Sequence, residues 1–423
     1  MATVKQRPPR VPTAAEEAIL AQFDAIANDL PGTDAVAKTR RDAISAFERD
    51  GLPTRRIEAW HYTDLRTALR EIPAYARAAN TNTVPPLTAT SHVIGLERVA
   101  PGTPIDGVSI DSMASRFATG TMFLAPSRRH DTVGQINAAF ASDGAVIEIA
   151  EGADVASPIE MQSPAANGQS HYRNAVLFAA SAKGTIVERH IGAGSGAALA
   201  TTVTDLIVGD GADALYVIIQ GRGADAYHFG QLNASLGKDA KLTLFLLQAG
   251  SKVVRQEVHV EVLGEGADFQ LRGINLLGGE SLTDTTMVVN HAVPNTTSEE
   301  VFRNVGTGRG RGVFQGQIKV AQPAQKTDAK MACNTLLLSE ESEFSAKPEL
   351  EIFADDVACG HGATVDDLDD AQVFYLMARG IPEALARALL VKGFAGEMLE
   401  AIEDEELSGA IEVLVDEWLE VNA

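Results

Sequence analysis

The sequence is poor in cysteine and lacks long apolar runs. Two cysteines in 423 residues cannot form the disulfide framework of a small secreted protein. The first twenty residues contain no apolar core of the kind found in signal peptides, so we expect a reducing, cytoplasmic location. The longest dense apolar stretch, 242–247, has the length of a single strand, which predicts that the chain does not span a membrane.

Basic residues and several catalytic motifs are also scarce or missing. The chain has 35 lysines and arginines against 57 aspartates and glutamates, a formal charge of −22. This charge repels nucleic acid and anionic lipid, so neither is an expected partner. The phosphate-binding Gly-x-x-x-x-Gly-Lys loop, the Gly-x-Ser-x-Gly elbow and the His-Glu-x-x-His motif do not occur. We therefore do not expect the chain to hydrolyse ATP itself.

Short apolar strands separated by glycine-rich turns fill the middle of the chain. Related turns begin at residues 150, 180, 209, 237 and 264, so the step changes only from 30 to 27 residues. Self-similarity at this interval is typical of a solenoid, in which each coil buries its apolar face against its neighbours. An antiparallel sandwich with glycine turns is the alternative, although it requires no steady step. We predict a mainly β protein with a right-handed parallel β-helix core and helical regions at both ends.

Helical patterns flank the strands on both sides and set the predicted domains. We divide the chain into an N-terminal helical domain at 1–80, a linker and small mixed segment at 81–143, the β-helix core at 144–353, and a C-terminal motif and helical partner-binding domain at 354–423. The last domain carries more apolar residues than capping of a solenoid requires. We predict that this excess binds a partner, through Leu385, Leu389, Phe394 and Met398.

One short segment holds residue types that bind metals. In an extended strand residues two apart share a face, so Asp355, Cys359 and His361 are predicted to point the same way. A thiolate and an imidazole placed like this can hold iron or zinc, but they make only half a site, and a buried thiol beside a hydrogen-bonded histidine shows the same pattern. Cys333 lies 26 residues before Cys359, about one coil. It is either part of the site or a small core residue.

A set of motifs identifies a family. They are the segment 55–65, Val289-Asn-His291, Phe314-x-Gly316-x-Ile318, Thr327-Asp-Ala329, the segment 347–356, Cys359-Gly-His-Gly-Ala-Thr364 and Arg379-Gly-Ile381. Together they resemble the SufB/SufD family of iron–sulfur cluster assembly scaffold proteins. Where SufB-type chains carry His-Glu-Ala-Thr, this chain has His361-Gly-Ala-Thr364, which favours the SufD branch.

The resemblance implies a β-helix with helical ends and a non-catalytic scaffold role in cluster assembly, iron acquisition and transfer. It implies pairing with a SufB-like subunit, or a homodimer in isolation, and docking of a SufC-like ATPase on the C-terminal helices. A transient iron–sulfur cluster or iron would be shared with the partner, with nothing tightly bound to the isolated chain. Cys359 and His361 map near the heterodimer interface, and Cys333 maps to a SufB cluster-assembly thiol.

A carbohydrate-active β-helix enzyme, a lyase or esterase, is the second hypothesis. It would need paired carboxylates on one face of the solenoid. Asp355 and Asp356 are neighbours and so face opposite sides of a strand, which disfavours this chemistry.

Overall fold

The computed structural model describes residues 10–75, 83–97, 99, 104–121, 130–164, 168–192 and 196–422. Within these ranges the helices are α1 Ala14–Ile26, α2 Asp34–Asp50, α3 Leu65–Ala68, α4 Met113–Thr119, α5 Thr132–Phe140, α6 Asp370–Met377, α7 Glu383–Gly396 and α8 Glu405–Asn422, with 3-10 turns at Glu58–Trp60 and Glu397–Ala401. The strands are β1 His92–Gly95, β2 Val108–Ser112, β3 Ala145–Ile149, β4 Asp154–Pro164, β5 Gly168–Phe178, β6 Lys183–Ile191, β7 Ala198–Val208, β8 Asp213–Gly221, β9 Ala226–Leu236, β10 Lys241–Ala249, β11 Val253–Val262, β12 Asp268–Leu277, β13 Leu282–His291, β14 Thr297–Gly306, β15 Arg311–Val320, β16 Asp328–Leu337, β17 Glu343–Ile352 and β18 Ala358–Asp366.

Successive strands alternate between two sheets of nine strands each. Sheet I has the order β1-β4-β6-β8-β10-β12-β14-β16-β18, and sheet II has the order β2-β3-β5-β7-β9-β11-β13-β15-β17. From β3 and β4 onward every pair is parallel, whereas β2 joins β3 in the antiparallel sense. Each coil thus contributes one strand to each sheet. The predicted parallel solenoid is confirmed and the sandwich is excluded.

The glycine-rich turns stack on one another, as the repeat predicts. In sheet I, Lys183 pairs with Asp213, and Asp213 pairs with Lys241, so the turns before these strands lie in register. At this corner one residue of each coil has positive φ, namely Gly152, Ser181, Gly211, Asp239, Gly266, Asn295 and Lys326. At Gly211, φ is 65°, and its N–H donates to the carbonyl of Lys238 in the next turn at 2.7 Å. The steady step therefore keeps a left-handed residue at the same corner of successive coils.

Three apolar layers hold the fold together. The solenoid interior is one, formed by the inner faces of both sheets. The C-terminal helices cover the outer face of sheet I, where Phe245 and Ile274 pack with Ile411 of α8. The N-terminal helices cover the outer face of sheet II, where Phe229 packs in one cluster with Trp60. Burial of these faces is what fixes the helical ends to the solenoid.

The segment around Trp60 anchors the N-terminal region through a buried cation. Arg255 of β11 is 0% exposed and lies 4.1 Å from the centre of the Trp60 ring. Its guanidinium also pairs with Asp284 at 2.7 Å and donates to the carbonyl of Ala59 at 2.7 Å. These contacts give the motif at 55–65 a structural role that its sequence alone does not show.

The solenoid extends beyond residues 144–353, the range predicted for the β-helix core. Strand β18 lies in the segment assigned to the C-terminal domain, yet it pairs with β16 over its whole length. Strands β1 and β2 lie in the segment at 81–143, yet each joins a sheet. The boundary predicted at 80/81 falls outside the described residues.

Candidate functional site

The solenoid ends in an open coil at its C-terminal side. Strand β18 is the last strand of sheet I and β17 the last of sheet II, so among the described residues each has one edge without a neighbouring strand. Residues of β18 are mostly exposed and those of β17 mostly half-buried, whereas the inward-pointing residues of β16 and most residues of β15 are buried. The inner face of this coil is therefore within reach of another molecule.

Cys359 and His361 lie on that inner face. In the register of sheet I, Cys359 pairs with Ala329 and His361 pairs with Met331, and both partners belong to the interior cluster. Cys359 is half-buried and packs against the same cluster, while His361 is exposed. Asp355 lies in the bend before the strand, so strand alternation does not apply to it. The structure brings together the thiol and the imidazole but not the carboxylate of Asp355.

Cys333 lies one coil further in, on β16. It pairs with Ala363 of β18, two residues from His361, so its predicted distance of about one coil is confirmed. The thiol is 0% exposed, and its Sγ accepts a hydrogen bond from Asn304 Nδ2 at 3.3 Å. Burial raises the pKa of Cys333 to about 12. In this arrangement Cys333 is a packed, protonated thiol.

Glu300 is a further charged residue of this region that the sequence analysis did not predict. Glu300 lies on β14 and pairs with Met331 of β16, so Glu300, Met331 and His361 form one column across three coils. The residue is 0% exposed, and neither carboxylate oxygen has a hydrogen-bond partner of normal geometry. Burial raises the pKa of Glu300 to about 8, with only partial relief from the hydroxyl of Ser298. The alternation Ser298-x-Glu300-x-Phe302 on an inner face was the available signal.

Charges near the thiol also affect its acidity. Partial burial is the main cause that raises the pKa of Cys359, and the carboxylates of Asp328 and Glu300 add to it, against a backbone hydrogen bond at Ala329. Within the part of the chain that the structure describes, no three His, Cys, Asp or Glu side chains converge as metal ligands. A tetrahedral iron or zinc site needs about four ligands, so Cys359 and His361 supply half of one.

Two family models match the chain. The model described as "SUF system FeS cluster assembly, SufBD core domain" matches residues 161–394, more than half of the chain. The chain belongs to the SufBD family. The model described as "SufBD protein N-terminal region" matches residues 22–86, which include the Trp60 anchor. The core match contains Cys333, Cys359 and His361, so the candidate site lies within the part that defines the family.

The curated relatives include a SufD protein, which supports the assignment to the SufD branch. The iron–sulfur cluster assembly protein SufD of Escherichia coli is 31% identical over 56% of this chain and 56% of that protein. A SufBD family protein of Synechocystis is 31% identical over 49% of this chain and 46% of that protein. The chloroplastic protein ABCI7 of Arabidopsis thaliana is 26% identical over 84% of this chain and 80% of that protein. The alignment with the first two relatives spans about half of their length.

The C-terminal helices of this SufBD chain divide the four predicted partner-binding residues into two groups. Leu385 and Leu389 are 51% and 45% exposed and line a groove of about 480 Å³ between α7 and α8. Met398 is 3% exposed, and Phe394 packs on sheet I with Arg303 5.2 Å from its ring centre. Phe374 of α6, which was not predicted, is 71% exposed. None of the described helices is both long and apolar enough to cross a membrane.

Proposed function

We propose that this SufBD chain is a non-catalytic, SufD-like subunit of a cytoplasmic iron–sulfur cluster assembly complex. It pairs with a SufB-like scaffold, docks a SufC-like ATPase and contributes ligands to a transient cluster or to iron. The observation that carries the proposal is the position of Cys359 and His361 on the inner face of the open last coil. Cys359 and His361 supply two ligands for a soft or borderline metal at an open edge. A second chain that covers this edge can supply the remaining ligands.

The free strand edges support the choice of partner. An unpaired edge strand offers a row of backbone donors and acceptors to another chain. Here β17 and β18 end both sheets on the same side of the solenoid, so a second solenoid with a similar end can continue both sheets. A SufB-like subunit has this form by family resemblance, and a second copy of this chain has it when the partner is missing. Both chains then contribute to one shared site.

The cluster proposal is tested in a complex purified under anaerobic conditions after co-expression with SufB-like and SufC-like subunits. We expect His361→Ala to lower the yield of assembled cluster, measured by iron and sulfide analysis, while the complex still forms. His92→Ala is the matched control, because His92 lies on β1 at the opposite end of sheet I. Normal cluster yield in the His361→Ala complex would show that His361 has no part in the site.

Docking of the ATPase is assigned to the exposed apolar residues of α7. Removing 367–423 is a poor test, because these helices cover the apolar outer face of sheet I. We expect Leu385→Ser with Leu389→Ser to abolish co-purification of the ATPase and leave the solenoid folded. Ile207→Ser is the matched control, because Ile207 is 51% exposed on β7, remote in sequence from these helices. Undiminished co-purification of the ATPase with the double variant would contradict the assignment.

The carbohydrate-active alternative receives no support from the carboxylates on which it depended. Asp355 lies in a bend, and Asp356 is paired with Lys326 of the neighbouring turn. Neither is part of an acid–base pair on the solenoid face.

A further inference from the structure

Four histidines of the solenoid are almost completely buried, and they fall into two kinds. In His171 both ring nitrogens are hydrogen-bonded, to Thr201 at 2.9 Å and to Gln169 at 3.0 Å. His291 is likewise bonded through both nitrogens. His190 and His228 are different, because Nδ1 of His190 and both ring nitrogens of His228 have no partner. A buried polar atom without a partner has lost its hydrogen bonds to water with nothing in exchange, so each such atom requires an explanation.

These two rings face each other inside the solenoid. His190 lies near the end of β6 in sheet I, and His228 lies near the start of β9 in sheet II. They are 1% and 0% exposed, and their ring centres are 4.4 Å apart. Next to His228, Gly230 has no side chain, and a Cβ there would overlap Oε1 of Gln256 and lie 3.2 Å from His228 Nε2. The glycine therefore leaves room for the amide oxygen of Gln256 beside one of the free nitrogens.

A buried carboxylate fixes the orientation of His190. Nε2 of His190 lies 2.8 Å from Glu188 Oε1, so the ring donates from Nε2 and leaves the lone pair of Nδ1 free. Glu188 is itself held by the hydroxyls of Thr204 at 2.9 Å and Tyr216 at 2.6 Å. Burial opposes its ionisation, but these hydrogen bonds and His190 outweigh burial and lower the pKa of Glu188. An imidazole bound to a carboxylate through one nitrogen and free at the other is the usual state of a metal-binding histidine.

We propose that His190 and His228 bind a borderline divalent metal ion, zinc or ferrous iron, inside the solenoid, with Glu188 as the positioning residue. Burial lowers the pKa of both histidines, so both rings are neutral and able to bind metal. The charged side chains that act on the two rings are the carboxylate of Glu188 and the guanidinium of Arg222, and their charges cancel, while Glu97 acts on Arg222.

The remaining positions on the metal fall to neutral oxygen donors. Among the described residues no third His, Cys, Asp or Glu joins the two rings as a direct ligand. Two neutral protein oxygens lie beside Gly230: Oε1 of Gln256, and the hydroxyl of Thr202 on the neighbouring strand, which is buried and has no partner. Water completes the set.

This internal site is separate from the open coil. His190 and β18 are six strands apart in sheet I, about 29 Å at ~4.8 Å per strand. The two sites can therefore be tested independently. The full chain carrying Cys359→Ala and His361→Ala keeps the internal histidines and loses the ligands of the open coil.

The test measures zinc in that double variant after expression with zinc and gel filtration. We expect about one zinc per chain by elemental analysis, lost when His190→Gln or His228→Gln is added. His171→Gln is the matched control, because it removes an equally buried histidine with no free nitrogen, and it should keep the zinc. Glu188→Gln should weaken zinc affinity by roughly 10–100-fold, as loss of a positioning carboxylate does.

The chain without zinc, or with a zinc content that His228→Gln leaves unchanged, would overturn the proposal. X-ray absorption of the zinc-loaded double variant gives an answer that does not depend on whether the histidine variants fold. Two imidazole ligands are expected, and a spectrum without imidazole would refute the site. Because this protein lacks Cys359 and His361, none of these results bears on the proposed role in cluster assembly.

Discussion

Replacing Glu300 by glutamine should change how the stability of the chain depends on pH. The side chain is 0% exposed and its oxygens have no hydrogen-bond partner of normal geometry. Burial raises its pKa from 4.5 to about 8. The folded chain therefore binds this proton more tightly than the unfolded chain does. The stability that the proton confers is fully present below about pH 4.5 and is lost as the pH rises through 8.

The magnitude follows from the size of the shift. Each pKa unit corresponds to about 1.4 kcal/mol, so a shift from 4.5 to about 8 amounts to roughly 5 kcal/mol once the pH exceeds both values. Between pH 5 and pH 9 the loss is about 4 kcal/mol. Glutamine has nearly the same shape and does not titrate. Relative to the wild type, Glu300→Gln should therefore gain about 4 kcal/mol of unfolding free energy between pH 5 and pH 9.

Urea unfolding of both proteins at pH 5, 7 and 9 measures this difference. All other groups titrate in both proteins, so the difference isolates Glu300. Glu343→Gln is the matched control, because its side chain is 68% exposed and paired with Arg311 on the surface. Its difference from the wild type should stay nearly constant over the same range. A constant difference for Glu300→Gln as well would show that Glu300 is already ionised at neutral pH, and the burial argument would fail.

Two other predictions concern the thiols and the N-terminal anchor. In the folded chain with no second chain on β18, Cys359 should react with a thiol reagent and Cys333, 0% exposed, should react only after unfolding. Rapid reaction of the Cys359→Ala variant under the same conditions would contradict this. Arg255→Leu should lower the unfolding free energy by about 3–5 kcal/mol, because it leaves the carboxylate of Asp284 buried without its cation. Arg311→Leu, which removes an exposed ion pair, should cost about 0–1 kcal/mol in the same urea titration, and equal losses would contradict the role of burial.

The solenoid was predictable because the turn residues that each coil needs recur in the sequence at the length of one coil. Each coil needs one left-handed residue at the same corner, and glycine, serine, aspartate or asparagine fills that corner at steps near 29 residues, from Gly152 to Asn295. The spacing of these turn residues along the sequence therefore gives the length of one coil. The end of the solenoid was less visible, because the extended segment around Cys359 was assigned to the C-terminal domain, and only the pairing of β18 with β16 shows that it belongs to sheet I.

The buried polar groups were not predictable for a different reason. His190 and His228 are 38 residues apart and lie on different sheets, so their contact depends on the stacking of coils and on the direction of each side chain. No local spacing encodes that contact. For a similar reason the sequence could not separate exposed from covered residues in the predicted partner-binding set. Periodicity marks Leu389 and Met398 alike as apolar, and only the packing of the helices on sheet I decides that Met398 is covered.

The position of the half site follows from the geometry of a solenoid. Each inner face is covered by the next coil, so towards the C-terminal end a side chain that points inward meets another protein chain only on the last coil. Cys359 and His361 occupy that coil on β18, whereas Cys333, with the same inward direction, is one strand further in and 0% exposed. A role for Cys333 in cluster assembly therefore requires β18 to move away from β16 when the partner binds. Thiol labelling of Cys333 that appears only in the assembled complex would demonstrate that movement, and labelling that stays absent there would leave Cys333 as a packing residue.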